Sequence, residues 1–346
     1  MLKKLIWKST ILQDNRKIRD VINRLNKSLL QIILVVNKKN KFVGTITDGD
    51  LRRGMFDGLN LDDEITKIVN RKSTYVNPGL SYDDAKILMR ANLIRHVPII
   101  NKNKNIVGLH LLNEISNAEL PNTFVIMAGG LGKRLRPFTK NVPKPMLKIG
   151  NKPILEHIIL KAKSNGFKNF VISVHYLHKI IKDYFKDGKK FSVKIKYIHE
   201  KTPKGTAAGL KNLKTKDRHP VLITNGDVIS DVDYSKIIEY HKYNKSDATI
   251  VIRNITQKNH YGVVRLKKNK IVGFEEKRDF IININTGIYV INKNLLKLLD
   301  KKYEDMPNFL EKLRKQNKKV IAYPIYEKWV DIGTKQIFKN TRKKFN

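Results

Sequence analysis

Residues 127–145 read MAGGLGKRLRPFTKNVPKP, directly after the apolar run TFVI. Gly129, Gly130 and Gly132 permit close approaches that a β-carbon blocks, so consecutive backbone N–H groups can turn inward around an anion. Lys133, Arg134 and Arg136 bring fixed positive charge to that concavity. Pro137, Pro143 and Pro145 restrict the segment that returns Lys144 towards it. A ligand that uses all of these at once is a polyphosphate. The stretch is not a Walker-type loop, because no Gly-Lys-Ser/Thr follows four intervening residues, and the Gly-x-Gly-x-x-Gly spacing of dinucleotide sites is also absent.

Such a turn needs rigid elements around it. Short apolar runs, FVIM, FVISV, VLIT and ATIVI, alternate with helical stretches such as ILEHIILKAKSNG. That alternation predicts an α/β domain whose parallel or mostly parallel sheet is covered on both faces. Ligands on such sheets bind at the carboxyl ends of the strands, and the glycine-rich turn follows the first strand.

The N-terminal third is organised differently. Ile18, Val21, Ile22 and Leu25 fall at helical spacing, followed by the strand-like IILVVN, a KKNK turn and FVGTIT. One unit later SYDDAKILMRANL is again an amphipathic helix, followed by VPIIN, KNKN and IVGLHL. Helix, strand, turn and strand repeat. Residues 1–119 therefore resemble a tandem pair of CBS domains, an α+β regulatory module that commonly binds adenine nucleotides between its halves. GTITDGD matches that family's ligand-reading pattern, and the resemblance implies that Thr47 holds phosphate and Asp50 accepts from ribose hydroxyls. In the second unit Leu111 and Glu114 stand at the corresponding places, a departure from the pattern. Nucleotide sensing and a purely structural or dimerising role are both open on these residues.

Residues 122–346 resemble the sugar-1-phosphate nucleotidyltransferases, whose signature runs GGxGxRLxP and then PKP. Here it is GGLGKRLRP and PKP, with Lys133 in place of a small Thr or Ser. Further stretches follow in the family's order: GNKPILEHII, KGTAAGL at residues 204–210, LITNGDV, HYGVVRL, FEEKR, NTGIYV and WVDIGT. Arg278 replaces a proline of that family's FEEKP. The resemblance implies a Rossmann-like domain with a mixed, mostly parallel sheet. It also implies nucleotide binding by Ala128, Gly129, Gly130, Gly132, Glu200, Gly205 and Thr206. Asp227 and Asp331 would hold Mg2+ as hard oxygen ligands shared with substrate phosphates. Arg134 would neutralise the departing pyrophosphate, Lys144 would sit against the reacting phosphates, and Lys277 would hold the sugar phosphate. Gly262, Glu276, Asn285 and Thr286 would line the sugar.

The implied reaction is in-line attack of a sugar-1-phosphate oxygen on the α-phosphorus of a nucleoside triphosphate, with pyrophosphate leaving. A phosphate dianion is already a competent nucleophile, so catalysis is positioning and electrostatic stabilisation without a general base. No histidine or carboxylate dyad accompanies the motifs, and His157, His175 and His178 show no ligand spacing and read as structural.

Glu200 occupies the place where uridylyl- and thymidylyltransferases often carry Gln. A carboxylate offers only acceptors, which suits the N1–H and amino group of guanine. HEKTPKGTAAGL also resembles HExEPLGTAG of the mannose-1-phosphate guanylyltransferases, so GTP is the expected nucleotide. A CBS pair ahead of the transferase is similar to bacterial glucosamine-1-phosphate guanylyltransferases of the legionaminic acid route, and glucosamine-1-phosphate is the expected acceptor. The alternative is a UTP- or dTTP-dependent enzyme acting on glucose, N-acetylglucosamine or mannose phosphate.

The 346-residue chain carries 70 Lys plus Arg against 31 Asp plus Glu, a net charge of +39. The basic residues are spread in short pairs rather than one block, so we expect solvated faces and no specific nucleic-acid partner. Such a field also suits a polyanionic small substrate. A nucleic-acid binder and a nucleotide-sensing regulator that has lost turnover are the competing classes. Intact Arg134, Lys144, Asp227, Lys277 and Asp331 stand against the second. The absence of cysteine excludes disulfides and thiolate chemistry. MLKKLIWKSTILQDN has too short an apolar core for a signal peptide, so a cytoplasmic protein without a membrane partner is expected, and a homo-oligomer by analogy with both families.

Overall fold

The computed structural model describes residues 6–28, 30–92, 94–112, 119–200, 205–213, 218–277, 280–300 and 303–345. Glu114, Lys204 and Arg278, named above, lie outside them. The chain divides into two compact units, Met1–Ile115 and Ser116–Asn346.

In the first unit β1 (Ile11–Gln13) pairs parallel with β2 (Ile32–Val36), which pairs antiparallel with β3 (Phe42–Thr47). Between β1 and β2 runs α1 (Ile18–Lys27), which buries Ile18, Val21, Ile22 and Leu25, the four positions its periodicity marks. Helix α2 (Asp48–Phe56) follows β3 directly. The second repeat has α3 (Tyr82–Ala91), β4 (His96–Ile100) and β5 (Ile106–Leu111), the two strands antiparallel. Val76 bridges Ile99 in parallel, as β1 does β2.

The duplication reaches the turns. Asn37 Oδ1 accepts from the N–H groups of Lys39 and Lys41, and Asn101 Oδ1 accepts from those of Asn103 and Asn105. An Asn at the head of each KNK-like turn folds the hairpin by the same side-chain mimicry of a backbone turn.

The second unit is built on seven strands. They are β6 (Leu120–Met127), β9 (Phe167–Val174), β10 (Lys194–His199), β11 (Val221–Asn225), β13 (Ala248–Gln257), β16 (Phe280–Ile291) and β17 (Val320–Ile325), in the spatial order β10-β9-β6-β11-β16-β13-β17. Only β16 runs antiparallel to its neighbours. Alternate residues serve opposite faces. Phe124 and Ile126 of β6 pack on α4 (Ile154–Ser164), α5 (His178–Phe185) and α7 (Tyr234–Tyr243), while Val125 packs on the face covered by α8 (Met306–Lys315). Burial on both faces is why these strands read as unbroken apolar runs.

Smaller pairs decorate the sheet. They are β7 (Lys148–Ile149) with β8 (Lys152–Pro153), β12 (Val228–Ser230) with β18 (Trp329–Asp331), and β14 (Val263–Lys267) with β15 (Lys270–Glu275). Helix α6 (Gly205–Ala208) precedes β11, and α9 (Lys335–Phe345) ends the described chain. Among the described residues no helix is long and apolar enough to cross a membrane.

Candidate active site

Strand order reverses at β6, with β9 on one side and β11 on the other. At such a switch point the connections leave in opposite directions and a crevice opens at the carboxyl ends. A cavity of about 340 Å³ lies there, lined by residues that include Met127 to Gly130 at the end of β6, His175 after β9, Glu200 after β10 and residues 225–227 at the end of β11.

The glycine-rich turn folds around a left-handed residue. Gly132 has φ of 62°, and a β-carbon there would lie 3.0 Å from Thr139 Cγ2 and 3.3 Å from Lys144 Cβ. The backbone therefore takes a conformation that side chains disfavour and stays against the segment carrying Lys144. Thr139 Oγ1 donates to the Gly132 carbonyl across 2.8 Å and closes the turn. Arg134 sits on the short helical turn Lys133–Leu135, exposed to solvent.

Lys144 begins another short turn, Lys144–Met146, between two prolines, and its side chain is 10% exposed. Its ammonium donates to Asp227 Oδ2 and lies 3.8 Å from Asp331 Oδ1. The two carboxylates are neighbours because β12 and β18 pair in the register Val228↔Asp331, and the Ile332 N–H donates to the Asp227 carbonyl at 3.0 Å. Oδ1 of each carboxylate is buried without a hydrogen-bond partner. Burial pushes the Asp331 carboxyl above the usual carboxylate range, with the Asp227 charge adding to it, while Lys144 and Arg134 pull the other way. Two hard carboxylates on paired strands, each with a buried oxygen that no hydrogen bond engages, suit a divalent cation that takes its remaining ligands from phosphate and water.

At the other end of the cavity Glu200 Oε1 accepts from the Ser173 hydroxyl, and the Glu200 carbonyl accepts from His175 Nδ1 at 2.8 Å. Gly209 lies against this carboxylate, where a β-carbon would come within 2.8 Å of Oε1. Gly205 and Thr206 open α6. Thr206 donates its N–H to Asp305 Oδ1 at 3.0 Å, and its hydroxyl accepts from the Met306 N–H at 3.0 Å. Tyr303 donates to Asp305 Oδ2 at 2.9 Å, so the start of α8 is tied to the rim of the cavity.

Of the residues singled out in the sequence, Ala128, Gly129, Gly130, Lys144, Glu200, Gly205, Thr206 and Asp227 line this cavity, and Lys144 joins Asp331 to them. The sugar set stands outside its lining. Glu276 and Lys277 are exposed neighbours 3.9 Å apart, with Gly262 beside Glu276. Asn285 Nδ2 donates to the Tyr289 hydroxyl at 2.7 Å, and the buried Thr286 hydroxyl donates to the Val251 carbonyl at 2.7 Å. His175, read from the sequence as structural, lines the cavity, and so do Asn225, Tyr303 and Asp305, which no motif singled out. The rule that ligands meet strand ends points to the first two. Nothing in the local pattern marks the last two, which stand just before α8 and are tied to the cavity by the Thr206–Asp305 hydrogen bond.

In the first unit Thr47 and Asp50 form a reciprocal helix cap. The Thr47 N–H donates to Asp50 Oδ2 at 2.8 Å, its hydroxyl donates to the same oxygen at 2.6 Å, and Asp50 Oδ1 pairs with Arg53 at 2.5 Å.

A glycine-lined anion turn at a switch point, facing a carboxylate pair, defines a nucleotide-binding α/β domain. Comparison with known proteins sharpens that class. Residues 123–345 match the nucleotidyl transferase family model, and residues 4–57 and 65–109 match the CBS domain. The chain belongs to the nucleotidyl transferase family, with CBS domains ahead of the transferase domain. It is 34% identical over 215 residues to a D-glycero-alpha-D-manno-heptose 1-phosphate guanylyltransferase of Campylobacter jejuni, covering 60% of this chain and 93% of that protein. It is 32% identical over 222 residues to a mannose-1-phosphate guanyltransferase of Yarrowia lipolytica, covering 62% of this chain and 61% of that longer relative. HddC from Yersinia pseudotuberculosis, solved in complex with GMP-PN, superposes with a TM-score of 0.51 at 26% identity, over 65% of this chain and all of that one.

Proposed function

We propose that the chain is a guanylyltransferase that joins GMP from GTP to a sugar-1-phosphate and releases pyrophosphate. The observation that carries this is Glu200: an acceptor-only side chain is fixed by Ser173 in the same cavity as the glycine turn, Lys144 and Asp227. It suits the N1–H and amino group of guanine. The two relatives named above, both guanylyltransferases, and the GMP-PN complex of HddC support the same base.

The oxygen of the sugar phosphate attacks the α-phosphorus, a new P–O bond forms, and the bond to the bridging oxygen breaks so that pyrophosphate carries off the electron pair. The glycine turn would cradle the triphosphate, Arg134 would take charge on the leaving group, and Lys144 would hold the reacting phosphates. Asp227 and Asp331 would hold Mg2+, which supplies positive charge to the phosphate oxygens. Lys277 and Glu276, with Gly262 and Asn285, would receive the sugar phosphate. Domain order supports glucosamine-1-phosphate as that acceptor. An adenine nucleotide at the CBS pair would regulate the reaction, its ribose hydroxyls sharing or competing for the Asp50 oxygen that Arg53 holds.

The test is pyrophosphate release with magnesium, pairing GTP, UTP, dTTP, CTP and ATP with glucosamine-, N-acetylglucosamine-, glucose- and mannose-1-phosphate. Release with GTP and glucosamine-1-phosphate supports the proposal. Release with UTP or dTTP alone overturns the base, and release with another sugar overturns the acceptor.

A further inference from the structure

Lys144 occupies the space in which a metal ion is wanted. Its ammonium lies between Asp227 and Asp331, hydrogen-bonded to one and within ion-pair distance of the other, on a side chain that is nine-tenths buried. The proline-flanked turn Lys144–Met146 aims it there, with the Met146 N–H held by the Pro143 carbonyl at 2.8 Å. Among the described residues, the same two carboxylates keep their Oδ1 atoms buried and without a hydrogen-bond partner, that of Asp331 having only the ammonium at 3.8 Å. A divalent cation drawn to those oxygens would meet the ammonium at close range, and two cations a few ångströms apart repel strongly in a partly buried site. The lysine stem is long and flexible, and the cavity that Lys144 lines also takes in the glycine turn, so a polyphosphate bound there offers the ammonium a second seat.

We propose that Lys144 is a built-in placeholder cation: in the nucleotide-free protein it neutralises Asp227 and Asp331 and competes with the divalent metal, and nucleotide phosphates draw it off. Metal and nucleotide then bind cooperatively, and by linkage each tightens the other. The inference rests on the reading of Asp227 and Asp331 as the metal-holding pair. A lysine that merely braced the fold would lower stability when removed, but would not oppose metal entry.

The experiment is Mn2+ binding to the full chain without nucleotide, followed by the electron paramagnetic resonance signal of free Mn2+. Wild type is compared with Lys144→Met, with Lys144→Gln, which retains a donor to Asp227 and guards against misfolding, and with Lys144→Met/Asp227→Asn. Thermal melts accompany each variant. The expected result is Mn2+ affinity about tenfold or more above wild type in both single variants, within the usual range for coupled sites, and loss of that gain in the double variant. Single variants that bind Mn2+ no more tightly than wild type overturn the placeholder role. A gain that survives Asp227→Asn instead overturns the metal pair, and with it this inference.

Discussion

Glu200→Gln separates base recognition from every other feature of the cavity. The substitution is nearly isosteric, and the Ser173 hydroxyl can donate to a Gln oxygen as it does to Glu200 Oε1. The backbone is independently held, by Val174 through the residue's N–H at 2.9 Å and by His175 through its carbonyl. What changes is the face shown to the base: two acceptors become one acceptor and one amide donor, which then confronts a guanine N–H. Hydrogen bonds to charged groups contribute about 1.5–3 kcal/mol, so kcat/KM for GTP should fall about 10- to 150-fold. ITP lacks the 2-amino group, so wild type should prefer GTP to ITP and the variant should lose much of that preference. Pyrophosphate release at subsaturating GTP, ITP and UTP gives the three ratios. A GTP loss below about threefold, with the GTP/ITP ratio unchanged, would show that Glu200 does not read the base, since a carboxylate that reads guanine cannot be neutralised at so small a loss.

Other outcomes follow from the same geometry. Asp227→Asn should lower turnover by about a hundredfold or more with the thermal melt retained, because it removes one of the two carboxylates that would hold the divalent cation against the phosphates; full activity would remove Asp227 from the site. Gly209→Ala places a β-carbon 2.8 Å from Glu200 Oε1 and 3.3 Å from Ser173 Oγ, and should raise KM for GTP by about tenfold while leaving the sugar phosphate KM alone. His241 is buried and neutral, its Nε2 donating to Asn292 Oδ1 and its Nδ1 accepting from Thr249, and burial lowers its pKa from the ordinary 6.5. The unfolded chain then binds the proton that the folded one refuses, so this stability is present above pH 6.5 and is lost as pH falls below it. His241→Gln should flatten the fall in Tm between pH 7 and 5; identical slopes would show that His241 titrates normally.

Much of this is legible in the sequence alone. Periodicity marks all four buried residues of α1, and the unbroken apolar runs announce a sheet covered on both faces. The glycine turn lands at the end of β6 because anion turns belong at strand ends. Strand direction is another matter: β16 reads like its neighbours yet runs against them, since side-chain pattern reports burial and not polarity. The Lys144 bridge is equally silent in sequence, because its partners lie in segments brought together only by the β12–β18 pairing. Thr47 and Asp50 carry two readings at once, since the hydroxyl–carboxylate pair that suits a nucleotide also caps α2. Tyr303 and Asp305 escape any local rule, because their place at the cavity depends on Thr206, about a hundred residues away.

Nucleotidyl transfer is distinguished from hydrolysis and from silent binding by 31P nuclear magnetic resonance of the full protein with GTP, glucosamine-1-phosphate and magnesium. Under transfer the three triphosphate resonances and the sugar phosphate resonance decline together, while the paired signals of a nucleoside diphosphate sugar and the single line of pyrophosphate grow in equal measure. Inorganic phosphate with GDP as the products, or an unchanged spectrum, would contradict it.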